Sequence, residues 1–413
     1  MSLTHAPGID TLSCGLTLLS EQNDAQRSAS ICWLVPGGFA DDPLPGGDGW
    51  ASMNSEFMLR GANGMDSRDF SNALDRLGAR RSLVADAYFM RVSLTVMEEN
   101  LFPALDLMVQ MIRKPDFPVD AMEAVRSLCQ QELSGLEDDP SHLCMIRLDE
   151  IRLPRPFDRH GMGTEESLAA ATRDQLVSHQ QRLARPSGSI MAAAGAVNHE
   201  EIRTFLESRL EDWSGEGELP KAEASSIGGE VRIERATSQT HLAMGFDAPL
   251  ASDPDSLPFR AATAILGGGA SSRLFLEVRE RRGLAYSVGA RYEPGFALGT
   301  STISAGTTPE RIQETMDCIE GVLADIEKGF TEEEVNRIRT QLRSGSLMQM
   351  EHGPARARQL AVDQFRLGRP RSLEDMLTEF ENLDADIVNE VCQRRMNDDW
   401  RARATRSIVG PAT

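Results

Sequence analysis

Two helix-like stretches, FPVDAMEAVRSL from Phe117 and FTEEEVNRIRTQL from Phe330, open the same way and lie 213 residues apart. A chain of 413 residues that repeats its own elements at such an offset is built as two copies of one unit, not as one large domain. The elements before each stretch agree. In the first half a strand at 28–34 leads to helices at 50–59 and 67–77, strands at 81–88 and 91–96, and an amphipathic helix at 101–112. In the second half the spacing predicts a strand at 241–246, helices at 257–266 and 271–282, strands at 284–292 and 299–305, and a helix at 309–326. A polar, Gly-rich run, Ser214 to Gly229, has the composition of a linker. Two α/β domains, 1–213 and 230–413, follow.

Charge excludes several partners. Asp and Glu number 63 against 43 Lys and Arg, a net charge of −20. Phosphate backbones and anionic lipid surfaces are bound by Lys/Arg clusters, so nucleic acid and membrane are poor partners. The longest apolar runs, such as Ile190 to Val197, fall far short of the roughly 20 residues that a membrane helix needs. No signal peptide is visible, and the six cysteines form no C-x-x-C, so a cytoplasmic address and reduced, structural thiols are expected. The seven histidines are never closer than 18 residues, which excludes a local pair of imidazoles one helical turn apart aimed at a single metal ion.

The sharpest local pattern is SSRLFLEVRERRGLAYSV, Ser271 to Val288. Serines open a helix, Leu274, Leu276 and Val278 punctuate it, arginines crowd its end and Gly283 stops it. Cations at a helix C-terminus complement its dipole, which by itself accounts for Arg281 and Arg282. Arg279 and Tyr286, seven residues apart across a helix-to-strand turn, can present a guanidinium and a phenol toward one point, where both donate hydrogen bonds to a peptide carbonyl. The preceding Gly267-Gly268-Gly269 matches no phosphate-binding pattern and reads as a turn between helices.

This segment resembles the Arg/Tyr signature of the insulinase/pitrilysin peptidases, inverzincins with an inverted H-x-x-E-H zinc motif. The resemblance covers most of the chain and includes DDPSHLCMIRLDEIRLPRPFDRHGMGTEESL (Asp138 to Leu168) and the R-E-x-R-G-L-A-Y run from Arg279 to Tyr286. It implies an α+β fold of two homologous rolls, each a mainly antiparallel sheet packed against helices, forming half of a clamshell. It also implies where the zinc motif should lie. Ser52 stands at the first histidine, Ser55 at the general-base glutamate, Glu56 at the second histidine, and Glu132 at the third-ligand spacing. A serine hydroxyl is a poor zinc ligand and cannot deprotonate a metal-bound water near neutral pH. Two carboxylates are too few for a dedicated hard-cation site. Glu132 then reads as a solvated helix carboxylate, and Met53, Phe57 and Met58 as core residues of the motif helix.

In one bacterial branch of the family two different chains share the work: one keeps zinc, the other keeps the Arg/Tyr pair. This chain resembles the second kind, so the resemblance implies no catalytic residue or metal in this chain alone, a zinc-bearing partner of the same family, peptide substrates, and a possible homodimer when isolated. Two other readings remain: a scaffold with no part in proteolysis, and a self-sufficient enzyme with altered ligands.

Overall fold

The structure is a computed structural model that describes residues 6–136, 138–223 and 228–412. Within the linker, residues 224–227 lie outside the described residues, as does His5. The chain divides into two compact units.

Unit 1 comprises Met1–Ser134, His160–Lys221 and Met348–Ser372. Its strands are β1 (Gly8–Thr11), β2 (Thr17–Gln22), β3 (Ser28–Pro36), β6 (Arg80–Ala85), β7 (Phe89–Met97) and β8 (Ile190–Gly195), with a two-stranded ribbon of β4 (Gly61–Ala62) and β5 (Met65–Asp66). The main sheet runs β1-β2-β8-β3-β7-β6, and β2 with β8 is its one parallel pair. Unit 2 comprises Gly135–Arg159, Ala222–Leu347 and Leu373–Thr413. Its strands are β9 (Glu230–Glu234), β10 (Thr240–Ala248), β11 (Ala285–Pro294), β12 (Gly299–Thr307) and β13 (Thr405–Gly410), in the order β11-β12-β10-β13-β9, with β13 and β9 parallel. Reading β6-β7-β3-β8-β2 against β11-β12-β10-β13-β9 gives the same chain order, the same neighbours and one parallel pair at the same place. The repeat seen in the sequence is a repeat of topology.

The units are not the contiguous halves that the linker suggested. The helix Pro140–Arg152, from the first half, belongs to unit 2; the helix Gly353–Leu367, from the second half, belongs to unit 1. The reason is burial. Along β3, Ile31, Trp33 and Val35 face the main core, while Cys32 and Leu34 face a second apolar cluster that includes Ala357, Leu360 and Ala361 of the exchanged helix. A strand with apolar residues on both faces needs cover on both, and each copy obtains the second cover from the other half. In unit 2, Leu143, Cys144, Ile146 and Leu148 are buried, and the Cys144 thiol donates to the Ser407 carbonyl of β13 at 3.2 Å.

Most predicted elements are present within a few residues of their expected ends. The expected helix 271–282 differs: residues Phe275–Arg281 form a π-helical turn. Among the described residues, no helix is long and apolar enough to cross a membrane, and all six cysteines are free, five of them buried.

Candidate functional site

In unit 1 the helix Trp50–Met58 carries Ser52, Ser55 and Glu56. Its first turn is fixed by Asp42, whose carboxylate accepts from the backbone N–H of Gly49 and of Ala51, both at 2.9 Å. Gly49, at φ 88°, has room for no side chain: a Cβ there would meet Gly163 Cα at 2.8 Å. Gly163 precedes Thr164, which closes a capping box with Ser167, and the Ser167 hydroxyl donates to the Asp48 carbonyl at 2.6 Å. The TEESL segment therefore anchors the start of this helix. Met53, Phe57 and Met58 are fully buried, as expected.

The donors at the motif positions are engaged with the protein itself. Ser52 Oγ donates to the Gly161 carbonyl at 2.7 Å, and Ser55 Oγ to the Ser52 carbonyl at 2.8 Å. Glu56 lies 3.8 Å from the Arg60 guanidinium. The helix Met122–Gly135 brings Glu132, exposed, beside Glu56: partial loss of hydration first, then the Glu56 charge, raises the Glu132 pKa above the ordinary carboxylate value. Burial, followed by those two carboxylates, pushes the Cys129 thiol up to about 12, so it is no thiolate ligand. Two hydroxyls bonded to carbonyls and two carboxylates without an imidazole do not fit a zinc ion. Elsewhere in unit 1, Asp10, His199 and Glu200 converge. Their position is already filled: His199 Nδ1 meets Ser20 Oγ at 2.7 Å, Nε2 meets Asp10 at 3.0 Å, and Arg203 reaches Glu200 at 2.7 Å.

In unit 2, Arg279 and Tyr286 are brought together. The π-helical turn buries Val278, as Leu274 just before it is buried, and it widens at its end, where the Arg282 N–H reaches the Glu277 carbonyl five residues back, at 3.3 Å. The chain then enters β11 through a bulge between Ala285 and Ser287, and the extra residue is Tyr286. Such irregularities re-aim side chains. Here they leave Tyr286 75% exposed, with the Arg279 guanidinium carbon 5.3 Å from its ring centroid and 4.8 Å from that of Phe275. The neighbouring arginines are occupied. Arg273 forms a two-pronged pair with Glu334 (2.7 and 2.8 Å), while Arg281 and Arg282 share Glu277, each at 2.9 Å. Those two bind a side chain as well as complementing the helix end. Arg279 has no carboxylate partner among the described residues. Gly267 lets this strand close in: a Cβ there would stand 2.0 Å from the Ala290 nitrogen. β11 is an edge strand, as is β6 at the equivalent place in unit 1.

Phe275, Glu277 and the Tyr286 bulge were not singled out from the sequence. Phe275 had a signal, an aromatic residue four positions before Arg279 on one helix face. The bulge had none.

Two α+β rolls of one topology, one with a helix that carries Ser52, Ser55 and Glu56 and no imidazole, the other with Arg279 on a helical turn beside Tyr286 at the start of an edge strand, fit an inactive-type member of a peptidase fold class. Comparison with known families agrees: residues 17–156 match "Insulinase (Peptidase family M16)" and residues 170–342 match "Peptidase M16 inactive domain". The chain belongs to the insulinase family. A protein of Mycobacterium leprae called an uncharacterized zinc protease is 28% identical over 97% of this chain and 91% of its own length. One of Bacillus subtilis with the same description is 22% identical over 94% and 96%. Among solved structures, a peptidase M16 inactive domain from Pseudomonas fluorescens superposes with a TM-score of 0.89 at 22% identity, covering 99% of this chain and 98% of its own. A protease from Helicobacter pylori reaches 0.89 at 17% identity, covering 98% and 99%.

Proposed function

We propose that this chain is the non-catalytic, substrate-binding subunit of a two-chain zinc peptidase in the cytoplasm, where its free cysteines stay reduced. A partner of the same family with an intact H-x-x-E-H motif supplies the zinc and the general base. Arg279 and Tyr286 hold the substrate backbone and donate hydrogen bonds to the scissile carbonyl as it gains negative charge, work that requires positioned donors and no bond-making by this chain. An extended peptide adds to an edge strand, β11 or β6, through main-chain hydrogen bonds, so sequence preference is weak. The observation that carries this reading is the state of Arg279: a cation with no carboxylate partner among the described residues of an acidic chain, beside an exposed phenol.

The test is reconstitution with the H-x-x-E-H chain encoded nearby and cleavage of a quenched fluorescent peptide. Arg279→Ala or Tyr286→Phe should lower kcat on the order of 10²-fold, the usual loss for one oxyanion donor. Unchanged rates for both variants, or full peptidase activity of this chain alone, would overturn the reading; the first result would favour a scaffold.

A further inference from the structure

We propose that Phe275 is a positioning residue for Arg279, an aromatic platform that holds the guanidinium without consuming its donors. The proposal rests on the role given above to Arg279. Three observations carry it. First, the Phe275 ring lies 4.8 Å from the Arg279 guanidinium carbon, nearer than the Tyr286 ring at 5.3 Å, so the cation stands between two aromatic faces from two different elements. Second, Phe275 is only half-buried and does not join the apolar cluster of unit 2, whereas its neighbours Leu274 and Val278 are sealed within it. Its ring is not there to fill the core. Third, every other arginine of the segment is fixed by a glutamate, and Arg279 has no such partner among the described residues.

The chemistry explains why the difference matters. A carboxylate would fix a guanidinium by taking its N–H groups in a two-pronged bond, leaving fewer for a substrate. A ring face attracts the cation through its quadrupole and leaves the N–H edge free to donate to a carbonyl. The widened turn serves the same end: it sets Phe275 and Arg279 on one face while Tyr286 arrives from the bulge. Phe275 touches no reacting atom in this scheme and acts only through Arg279.

Two sets of measurements test it. In the reconstituted complex, Phe275→Leu, which keeps bulk and loses the quadrupole, should lower kcat about 3- to 30-fold with a smaller change in KM, and Phe275→Tyr should restore the rate to within about twofold. If Phe275→Leu matches wild type while Arg279→Ala is impaired, the platform role fails and the assisting role of Arg279 survives. If Arg279→Ala itself changes nothing, the functional reading fails first. If Leu and Tyr variants lose rate equally and both lower Tm, Phe275 is a packing residue and the proposal is overturned. The second measurement uses this chain alone with 15N-labelled arginine. Ring currents should shift the Arg279 Nε–H resonance upfield in wild type and in Phe275→Tyr, with the shift reduced in Phe275→Leu; an unchanged resonance in the Leu variant would count against the proposal whatever the partner.

Discussion

Arg356 and Glu21, 335 residues apart in the chain, form a two-pronged ion pair in the interior of unit 1, with Arg356 Nε donating to Glu21 Oε1 at 2.9 Å. The side chains are 2% and 4% exposed. The pair ties the exchanged helix Gly353–Leu367 to β2, and Arg356 also donates to the Arg371 carbonyl at 2.9 Å. Removing one partner of a buried pair strands the other charge, which costs about 3–5 kcal/mol. Arg356→Met should therefore lower the denaturant midpoint sharply, whereas Glu21→Leu with Arg356→Met should recover most of the loss. Equal destabilisation in the single and double variants would mean that packing, not charge, dominates there.

That pair also marks the limit of what the sequence reveals. The repeat, three strands and several helices of each copy, and the core residues of the motif helix follow from periodicity, because alternation and helical spacing are local signals; the order of strands in each sheet is set by non-local pairing and does not. Ser52, Ser55, Glu56 and Glu132 are picked out by the resemblance to a zinc motif and not by periodicity, and in the structure the charge of Glu56 acts on Glu132. The exchange of helices was not, since nothing in the run at 353–367 says which of two similar sheets it covers. The π-helical turn and the Tyr286 bulge escaped for a related reason: one inserted residue leaves no trace in a periodic pattern that ends at Gly283.

His179 gives unit 1 an acid-sensitive contact. Its ring is buried against Trp50, with Nδ1 3.2 Å from Asn54 Nδ2. Burial, opposed by the Asp41 carbonyl and reinforced by the Arg182 charge, pushes its pKa down to about 4 from 6.5. The unfolded chain then takes up a proton below pH 6.5 that the folded chain refuses until about pH 4. Stability from this group is full above pH 6.5 and falls across that window, by about 3 kcal/mol for the whole shift. Denaturation of wild type and His179→Gln between pH 4 and 8 checks this: the variant should lose the His179 share of the slope. Parallel curves would contradict it.

Asp149 acts with the opposite sign in unit 2. Burial first, then the Glu293 charge, lifts its pKa to about 6 from 3.8 despite nearby Arg152. A carboxyl raised in the folded state stabilises fully below pH 3.8, and that contribution is lost as pH rises through 6. At pH 8 the chain carries a partly buried charge it would fold better without. Asp149→Asn should raise stability at pH 8 by about 1–2 kcal/mol, less than the full shift because the side chain is only half-buried, and should change nothing near pH 3.8. A gain of the same size at both pH values would point to packing instead.

The motif helix is held firmly at its start, and that permits a test of whether its surroundings can accept a metal ion. Asp42, the Gly49–Gly163 approach and the TEESL capping box all hold the helix start, and Glu132 already stands beside position 56. The variant Ser52→His, Ser55→Glu, Glu56→His supplies two imidazoles one turn apart, with Glu132 as third ligand and a carboxylate base. It removes the Ser52 bond to Gly161 and the Glu56–Arg60 pair, and it enlarges a buried position at Ser55, so some stability will be lost, about 1–3 kcal/mol from overpacking. Zinc binding should offset that loss, because an ion that binds only the folded state stabilises it by mass action. Elemental analysis should find close to one zinc per variant chain, Tm should rise with added zinc and fall with a chelator, and wild type should show neither response. A folded triple variant that takes up no zinc would mean that the geometry around Glu132, and not only the ligands, has drifted from a metal site.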